Sequence, residues 1–436
     1  MCDVKLVIRG GRVIDQAGER LADVAIDGGL VAEVGEALEA PDGAVILDAA
    51  SCIVSSGFVD VHAHLRQPGG EAAETVLTGS NAAALGGYTA VVAMPNTQPA
   101  TDNTAIVDRV RALGAVGPID VFPSAAITRG REGKELAPLG ALYSGGVRVF
   151  TDDGDCVASA VIMRRALEYL GGLDGAVLAQ HAEDPTLVAG GHMHEGAWSS
   201  RLGIPGRPAA AEHIIIARDI DLLREFPGVQ LHFQHVSTER SVELIRQAKA
   251  AGLAVSAEAT PHHFTLTDAN CAGFDPVFKV NPPLRTERDR EAIRRGLADG
   301  TIDVIATDHA PHPTQSKDEP FDAAPPGMLG LETALGLVAT ELVAPGYLDW
   351  PTALAALSWR PAQLAGIGAH GRPIRPGEPA NLTVFDPTAR WTVRADRLAS
   401  IARNTPYAGR ELTGQVRHTI VHGVPVVTDG SLEETR

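Results

Sequence analysis

The stretch Ser56-Gly57-Phe58-Val59-Asp60-Val61-His62-Ala63-His64-Leu65-Arg66 carries the decisive pattern of this chain. The apolar run of Ile53, Val54, Phe58, Val59 and Val61 reads as a short buried strand, and it ends in two histidines separated by one residue. Side chains two apart on a strand share a face, so His62 and His64 bring two imidazoles to one point. Neutral imidazole suits zinc and its borderline neighbours, which makes this strand end a candidate for metal ligation.

That run is the first of eight. Apolar segments at 53–62, 88–94, 119–124, 146–151, 176–181, 229–235, 253–260 and 302–308 read as strands. Between them lie stretches with helical spacing, such as Val242, Ile245 and Ala248 within 239–251, and Ile293 and Leu297 within 287–299. Strands alternating with helices over about 250 residues or more form the pattern of an α/β protein of the (β/α)8 TIM-barrel type. A doubly wound open sheet competes with this reading, but no GxGxxG follows the first strand. Before and after the barrel, short alternating runs broken by Gly-containing turns predict a small β domain built from both chain ends. The expected division is 1–52 and 366–436 for that composite β-sandwich and 53–365 for the barrel.

Polar residues fall at the carboxyl ends of the expected strands, where barrel active sites are built. His62 and His64 end the first, Asp152 and Asp153 follow the fourth, His181 ends the fifth, His235 the sixth and Asp308 the eighth. Five strands ending in metal-type ligands point to a metal centre. Four neutral imidazoles with two carboxylates suffice for two divalent ions sharing a bridging carboxylate and a bridging hydroxide. Such a hydroxide attacks an unreactive amide carbonyl. Asp308 is placed to carry a proton to the nitrogen that leaves.

Composition narrows the partners. In 436 residues, 44% hydrophobic and 21% charged, a large core is available, and the net charge of −17 disfavours phosphate-rich partners. Cys2, Cys52, Cys156 and Cys271 are widely spaced without a CxxC, which predicts reduced thiols and a cytoplasmic protein. No secretory signal and no membrane-length apolar run occur.

The strings His62-Ala-His64-Leu-Arg66, Met94-Pro-Asn96-Thr97, Phe150-Thr-Asp-Asp153-Gly154, Gln180-His181-Ala-Glu183, His235-Val-Ser-Thr238, Asn281-Pro-Pro-Leu-Arg285 and Thr307-Asp308-His309-Ala-Pro-His312 together resemble the dihydroorotases of the amidohydrolase superfamily, in particular the longer bacterial type I enzymes. The resemblance runs over nearly the whole chain. It implies two zinc ions per subunit, one on His62 and His64 and the other on His181 and His235, with Asp308 as a ligand of the first and as catalytic acid/base. It also assigns the bridge to Asp153 rather than Asp152, in place of the carbamylated lysine of relatives such as hydantoinases. No lysine occurs between Lys134 and Lys249, so the fourth strand supplies none.

For the substrate, L-dihydroorotate or N-carbamoyl-L-aspartate in pyrimidine synthesis, the resemblance implies carboxylate binding by Arg66 and Asn96. His64, Asn281, His312 and the backbone of Pro326 and Gly327 are the implied further contacts. Pro326 stands where many relatives have an aromatic, and Gln67 replaces a commoner glutamate. Residues 309–327 read as a long loop over the site. Other cyclic amidases, such as a dihydropyrimidinase or allantoinase, and a non-catalytic scaffold for aspartate transcarbamoylase are the alternatives. A homodimer and association with that transcarbamoylase alongside catalysis are further expectations.

Several residues invite a plainer reading. His192 and His194, in a Gly-rich segment, are expected to be solvent-exposed loop histidines. His262 and His263 are expected to support the site without ligating. Arg285 is either a positioning charge or part of a loop salt bridge. Cys156 is expected to be a small buried residue at the start of a helix.

Overall fold

A computed structural model describes residues 5–433, so Cys2 lies outside the described residues. Eight short strands form a parallel ring: β1 (Phe58–Ala63), β2 (Tyr88–Ala93), β3 (Asp120–Pro123), β4 (Val149–Phe150), β5 (Val177–Gln180), β6 (Gln230–Phe233), β7 (Val255–Ala259) and β8 (Val304–Ile305). Strands β1 to β3 pair in one run and β4 to β8 in another. The parallel bridges Ala125↔Phe150 and Ala63↔His309 join the two runs. The ring is thereby closed, and the chain is an α/β barrel.

Helices fill the intervals, and their starts are written into the sequence. Thr75, Asn103, Ser159, Thr238 and Thr286 each accept a backbone N–H in the first turn of Val76–Leu85, Thr104–Gly114, Ala160–Leu170, Glu239–Ala250 and Glu287–Ala298. The last two lie within a residue of the expected helices. Val59, Val61, Ala90, Val92, Val149, Ala179 and Val304, contributed by five strands of the ring, cluster with Ala362, Ala365 and Ile367 from the segment that follows the barrel.

The expected first strand, 53–62, is two strands. Ile53–Ser56 pairs in parallel with Leu6–Asp15 and antiparallel with Leu382–Thr392, so it belongs to the terminal sheet, and only Phe58–Ala63 enters the barrel. The change of sheet falls at Gly57, beyond the expected 52/53 division. Glycine is required there because a Cβ would lie 2.2 Å from the Thr89 side chain on β2. The terminal sheet has nine strands, and Ile53–Ser56 is the seam between its N-terminal and C-terminal halves. Its own core gathers Leu6, Ile8, Val24, Val54, Leu382 and Ile420. This composite β-sandwich lies against the barrel through Ile14, Ile53 and Phe385, which share the main core with Phe58 and Tyr88.

The closure between β8 and β1 uses a side chain. The buried Asp60 carboxylate accepts from the backbone N–H of His62 at 3.0 Å and of Thr307 at 3.1 Å, and from the Thr307 hydroxyl at 2.5 Å. Burial pushes its carboxyl up to about 7, against the opposing pull of those donors. Asp60→Ala leaves three buried donors unpaired, and we expect a loss of about 2–4 kcal/mol, read as a fall in the urea midpoint. An unchanged midpoint would remove Asp60 from the closure.

Candidate active site and metal centre

All six candidate ligands converge at the carboxyl ends of the ring. His62 lies in β1 and His64 one residue after it; Asp153, His181, His235 and Asp308 follow β4, β5, β6 and β8. The Asp153 carboxylate faces four imidazoles: Oδ1 is 3.3 Å from His62 Nε2, 3.4 Å from His235 Nε2 and 3.6 Å from His181 Nδ1, while Oδ2 is 3.4 Å from His64 Nε2. Asp308 Oδ1 sits 2.9 Å from His64 Nε2 and 3.4 Å from His62 Nε2.

The Asp153 separations suit ligands better than hydrogen bonds, whereas Asp308 Oδ1–His64 Nε2 at 2.9 Å and His181 Nδ1–His235 Nε2 at 2.8 Å are of hydrogen-bond length. N–H···O bonds centre on about 2.9–3.0 Å, whereas atoms bound tetrahedrally at about 2.0–2.1 Å stand about 3.3 Å apart. His62 Nε2 and Asp153 Oδ1 are both buried without a hydrogen-bond partner. Two groups sharing one carboxylate, His62 with His64 and Asp153, and His181 with His235 and Asp153, have ligand atoms close enough to hold an ion each. The donor set therefore fits a divalent metal of the zinc kind.

Outer contacts aim the rings. His62 Nδ1 donates to Glu258 Oε1 at 2.5 Å and His64 Nδ1 to Asn96 Oδ1 at 2.9 Å, so both Nε2 lone pairs point inward. Glu258 is held in turn by His232 Nε2 at 3.0 Å. On the other side, His181 Nε2 lies 3.5 Å from Glu183, which pairs with Arg207 at 3.0 Å. Burial works against charge on Asp153, yet His62 and the neighbouring imidazoles outweigh it and hold the carboxyl well below its ordinary range. His235 and Asp308 adopt left-handed backbone, with φ of 33° and 46°, as does Arg66 at 58°. Such conformations cost about 1–3 kcal/mol each, and here they turn site side chains.

Along the rim, Arg66 Nε donates to Pro311 O at 3.1 Å and Arg66 Nη2 stands 3.5 Å from His312 Nε2, which donates to Pro326 O at 2.8 Å. Burial, aided by Arg66, lowers His312 to about 3 and keeps it neutral. Asn281 Oδ1 is buried without a partner. Gly327 is hemmed in: a Cβ would lie 2.8 Å from His312 Nε2, and its N–H already donates to Lys279 O at 2.9 Å. Pro326 and Gly327 thus present carbonyl oxygens only. Asn404 ties the loop of residues 309–327 at both ends, donating to Ala310 O at 3.0 Å and to Gly327 O at 3.1 Å.

Other residues fall into place around this cluster. Asp152 turns away and accepts from Thr128 N at 2.9 Å. Gln67 accepts from Val76 N at 3.1 Å, at the start of a helix. The expectation of exposed histidines at 192 and 194 is corrected: Met193–His194 pairs with Gly206–Arg207, and buried His194 lies 3.2 Å from Arg285 Nη1. Arg285 is a buried positioning charge that also donates to Ser237 Oγ at 3.1 Å. His263 is held by Thr260 at 2.8 Å, while His262 keeps a buried, unpartnered Nε2. Cys156 is only partly buried and precedes its helix by four residues, and burial pushes its thiol upward. Sequence reasoning missed Glu258 and His232. The signal for Glu258 was a charged residue inside a strand otherwise made of small side chains.

Barrel, sandwich and a shared-carboxylate cluster at the strand ends define the amidohydrolase class. A family model for dihydro-orotase-like proteins matches residues 51–241. A dihydroorotase of Streptomyces coelicolor is 51% identical over 98% of this chain and 99% of its own length. One of Mycobacterium tuberculosis is 48% identical over 98% of this chain and its full length. Among solved structures, the L-hydantoinase (dihydropyrimidinase) of Arthrobacter aurescens superposes with a TM-score of 0.89 at 24% identity, covering 99% of this chain and 97% of that one. The chain belongs to the dihydroorotase family, and it is an enzyme.

If Glu258 sets the His62 tautomer, Glu258→Gln weakens metal binding by about 10–100-fold in competition against a chelator. Unaltered affinity would make the contact structural only.

Proposed function

We propose that the chain interconverts L-dihydroorotate and N-carbamoyl-L-aspartate as a step of pyrimidine biosynthesis. The observation that carries this reading is the shared rim: a ligand cluster for amide chemistry lies beside a guanidinium, with Asn96 joined to His64 at 2.9 Å and Arg66 beside His312 at 3.5 Å. A cyclic amide bearing a carboxylate needs both features. No helix among the described residues is long and apolar enough to cross a membrane; the setting we propose is the cytoplasm.

In this reading His62, His64 and Asp308 would hold one zinc ion and His181 and His235 a second, with Asp153 shared between the two groups. Zinc bound there would polarise the amide carbonyl and make water acidic enough to react near neutrality. Asp308 takes the proton of the attacking water and delivers it to the ring nitrogen as the amide C–N bond breaks. Burial would raise the Asp308 carboxyl, but His62 and His64 outweigh it and hold it below its ordinary range, so the group stands ionised. In the cyclising direction Asp308 takes a proton from the carbamoyl nitrogen as it attacks the side-chain carboxyl carbon, and water leaves.

Arg66 stays cationic, since burial lowers it only to about 10. Its remaining N–H groups form a fork for the substrate carboxylate, with the Asn96 amide beside it. Asn281 Oδ1 accepts from a ring N–H, and His312 with the Pro326 and Gly327 carbonyls borders the remaining edge. The same family reading includes a homodimer and association with aspartate transcarbamoylase, for which co-purification is the check.

Purified protein is expected to turn over L-dihydroorotate but neither dihydrouracil nor allantoin; the reverse would overturn the assignment. Asp308→Asn should retain most of its metal and lose about 10²–10⁴-fold in kcat, measured by dihydroorotate hydrolysis with metal content on the same sample. Arg66→Lys should chiefly raise KM, by about tenfold or more, because an ammonium cannot form the fork. An unchanged KM would put the carboxylate elsewhere.

A further inference from the structure

At the opposite end of the barrel a second cluster gathers. Asp120 is the first residue of β3, so it lies on the amino-terminal face, away from the ligands described above. His370 follows the helix Arg360–Leu364, and His422 occupies the turn between the terminal strands Glu411–Val421 and Val424–Thr428. Both rings aim Nε2 at the same carboxylate oxygen: Asp120 Oδ2 is 2.8 Å from His370 and 2.8 Å from His422. Three segments far apart in sequence therefore bring two imidazoles and one carboxylate to a point.

The surroundings match those of ligating side chains. His370 is buried, and its Nδ1 lies 2.9 Å from Thr89 Oγ1, whose own hydroxyl faces Phe58 O at 3.4 Å. That contact fixes the ring with Nε2 towards the Asp120 carboxylate, the orientation that an outer hydroxyl gives a ligating imidazole. His422 is held in left-handed backbone at φ 50°, with its N–H donating to Asn381 Oδ1 at 2.6 Å, so the turn is fixed with its ring towards Asp120. The His422 side chain is 52% exposed and that of Asp120 35%, which leaves an entry path and room for water on the ion.

We propose that Asp120, His370 and His422 form a separate site for one borderline divalent transition ion, zinc being the expected occupant. Two nitrogens and one oxygen, with solvent completing the shell, suit that class better than calcium or magnesium, which prefer oxygen. Tetrahedral binding at about 2.0–2.1 Å requires donor atoms about 3.3 Å apart, so the rings must retreat by about half an ångström from their 2.8 Å contacts. His422, at the tip of a surface turn, has that freedom. The ion would staple the amino-terminal face of the barrel to the C-terminal half of the sandwich, independently of the proposed reaction.

The test counts metal. Wild type, His422→Ala and Asp120→Asn are equilibrated with excess zinc, freed of unbound ion, and measured for zinc per chain; His422 and Asp120 are chosen over buried His370 because their replacement spares the core. Each variant should hold one zinc fewer than wild type with dihydroorotate turnover retained, and wild-type crystals grown with zinc should show anomalous density at the zinc edge among the three side chains. Equal zinc counts in wild type and both variants, or crystals without that density, would overturn the proposal.

Discussion

A barrel needs its last strand to find its first, and here that meeting rests on very little backbone. Between β8 and β1 the pairing is the single bridge Ala63↔His309, supported by the His64 N–H on His309 O at 2.9 Å. The Asp60 carboxylate does the remaining work by binding Thr307 and the His62 N–H together. Because His62 and Asp308 lie two residues and one residue from those anchors, the seam that closes the ring also sets the spacing between a histidine and the carboxylate beside it. A shift there would separate the residues on which the chemistry depends. Stability and site geometry are thus one constraint.

The cluster at the strand ends is a costly arrangement for a polypeptide. Asp153 and Asp308 are buried among imidazoles, and His62 Nε2 and Asp153 Oδ1 are left without a hydrogen-bond partner. Fixed outer contacts from Glu258 and Asn96 prevent His62 and His64 from rotating away from this conflict. A cation relieves it. The same logic of a ring held from behind by a hydroxyl or carboxylate recurs at His370, which is why that corner of the fold resembles the site in chemistry though not in location.

Much of this was legible in the sequence because most barrel strands are buried on both faces and read as apolar runs, five of them ending in a metal-type residue. The division at Gly57 was not: Ile53–Ser56 and Phe58–Ala63 are both fully buried, and only Ser55-Ser56-Gly57 interrupts the run between the two sheets. His194 was misread because a two-residue pairing with Arg207 has no periodicity to detect. Glu258 went unread because its role depends on His62 and His232, which only the fold brings to either side of it. Between Asp152 and Asp153 the difference lies in the turn after β4, which points one at Thr128 and the other at the histidines.

Ile53–Ser56 joins the two chain ends and runs through Gly57 directly into the strand that carries His62. Its pairing with Leu382–Thr392 means that a chain stopped short of residue 382 would present an unprotected strand edge at the root of β1. Such an edge is a template for pairing with other chains. The tail is therefore also a guard against self-association during synthesis, when the barrel's amino-terminal strands have emerged and their cover has not.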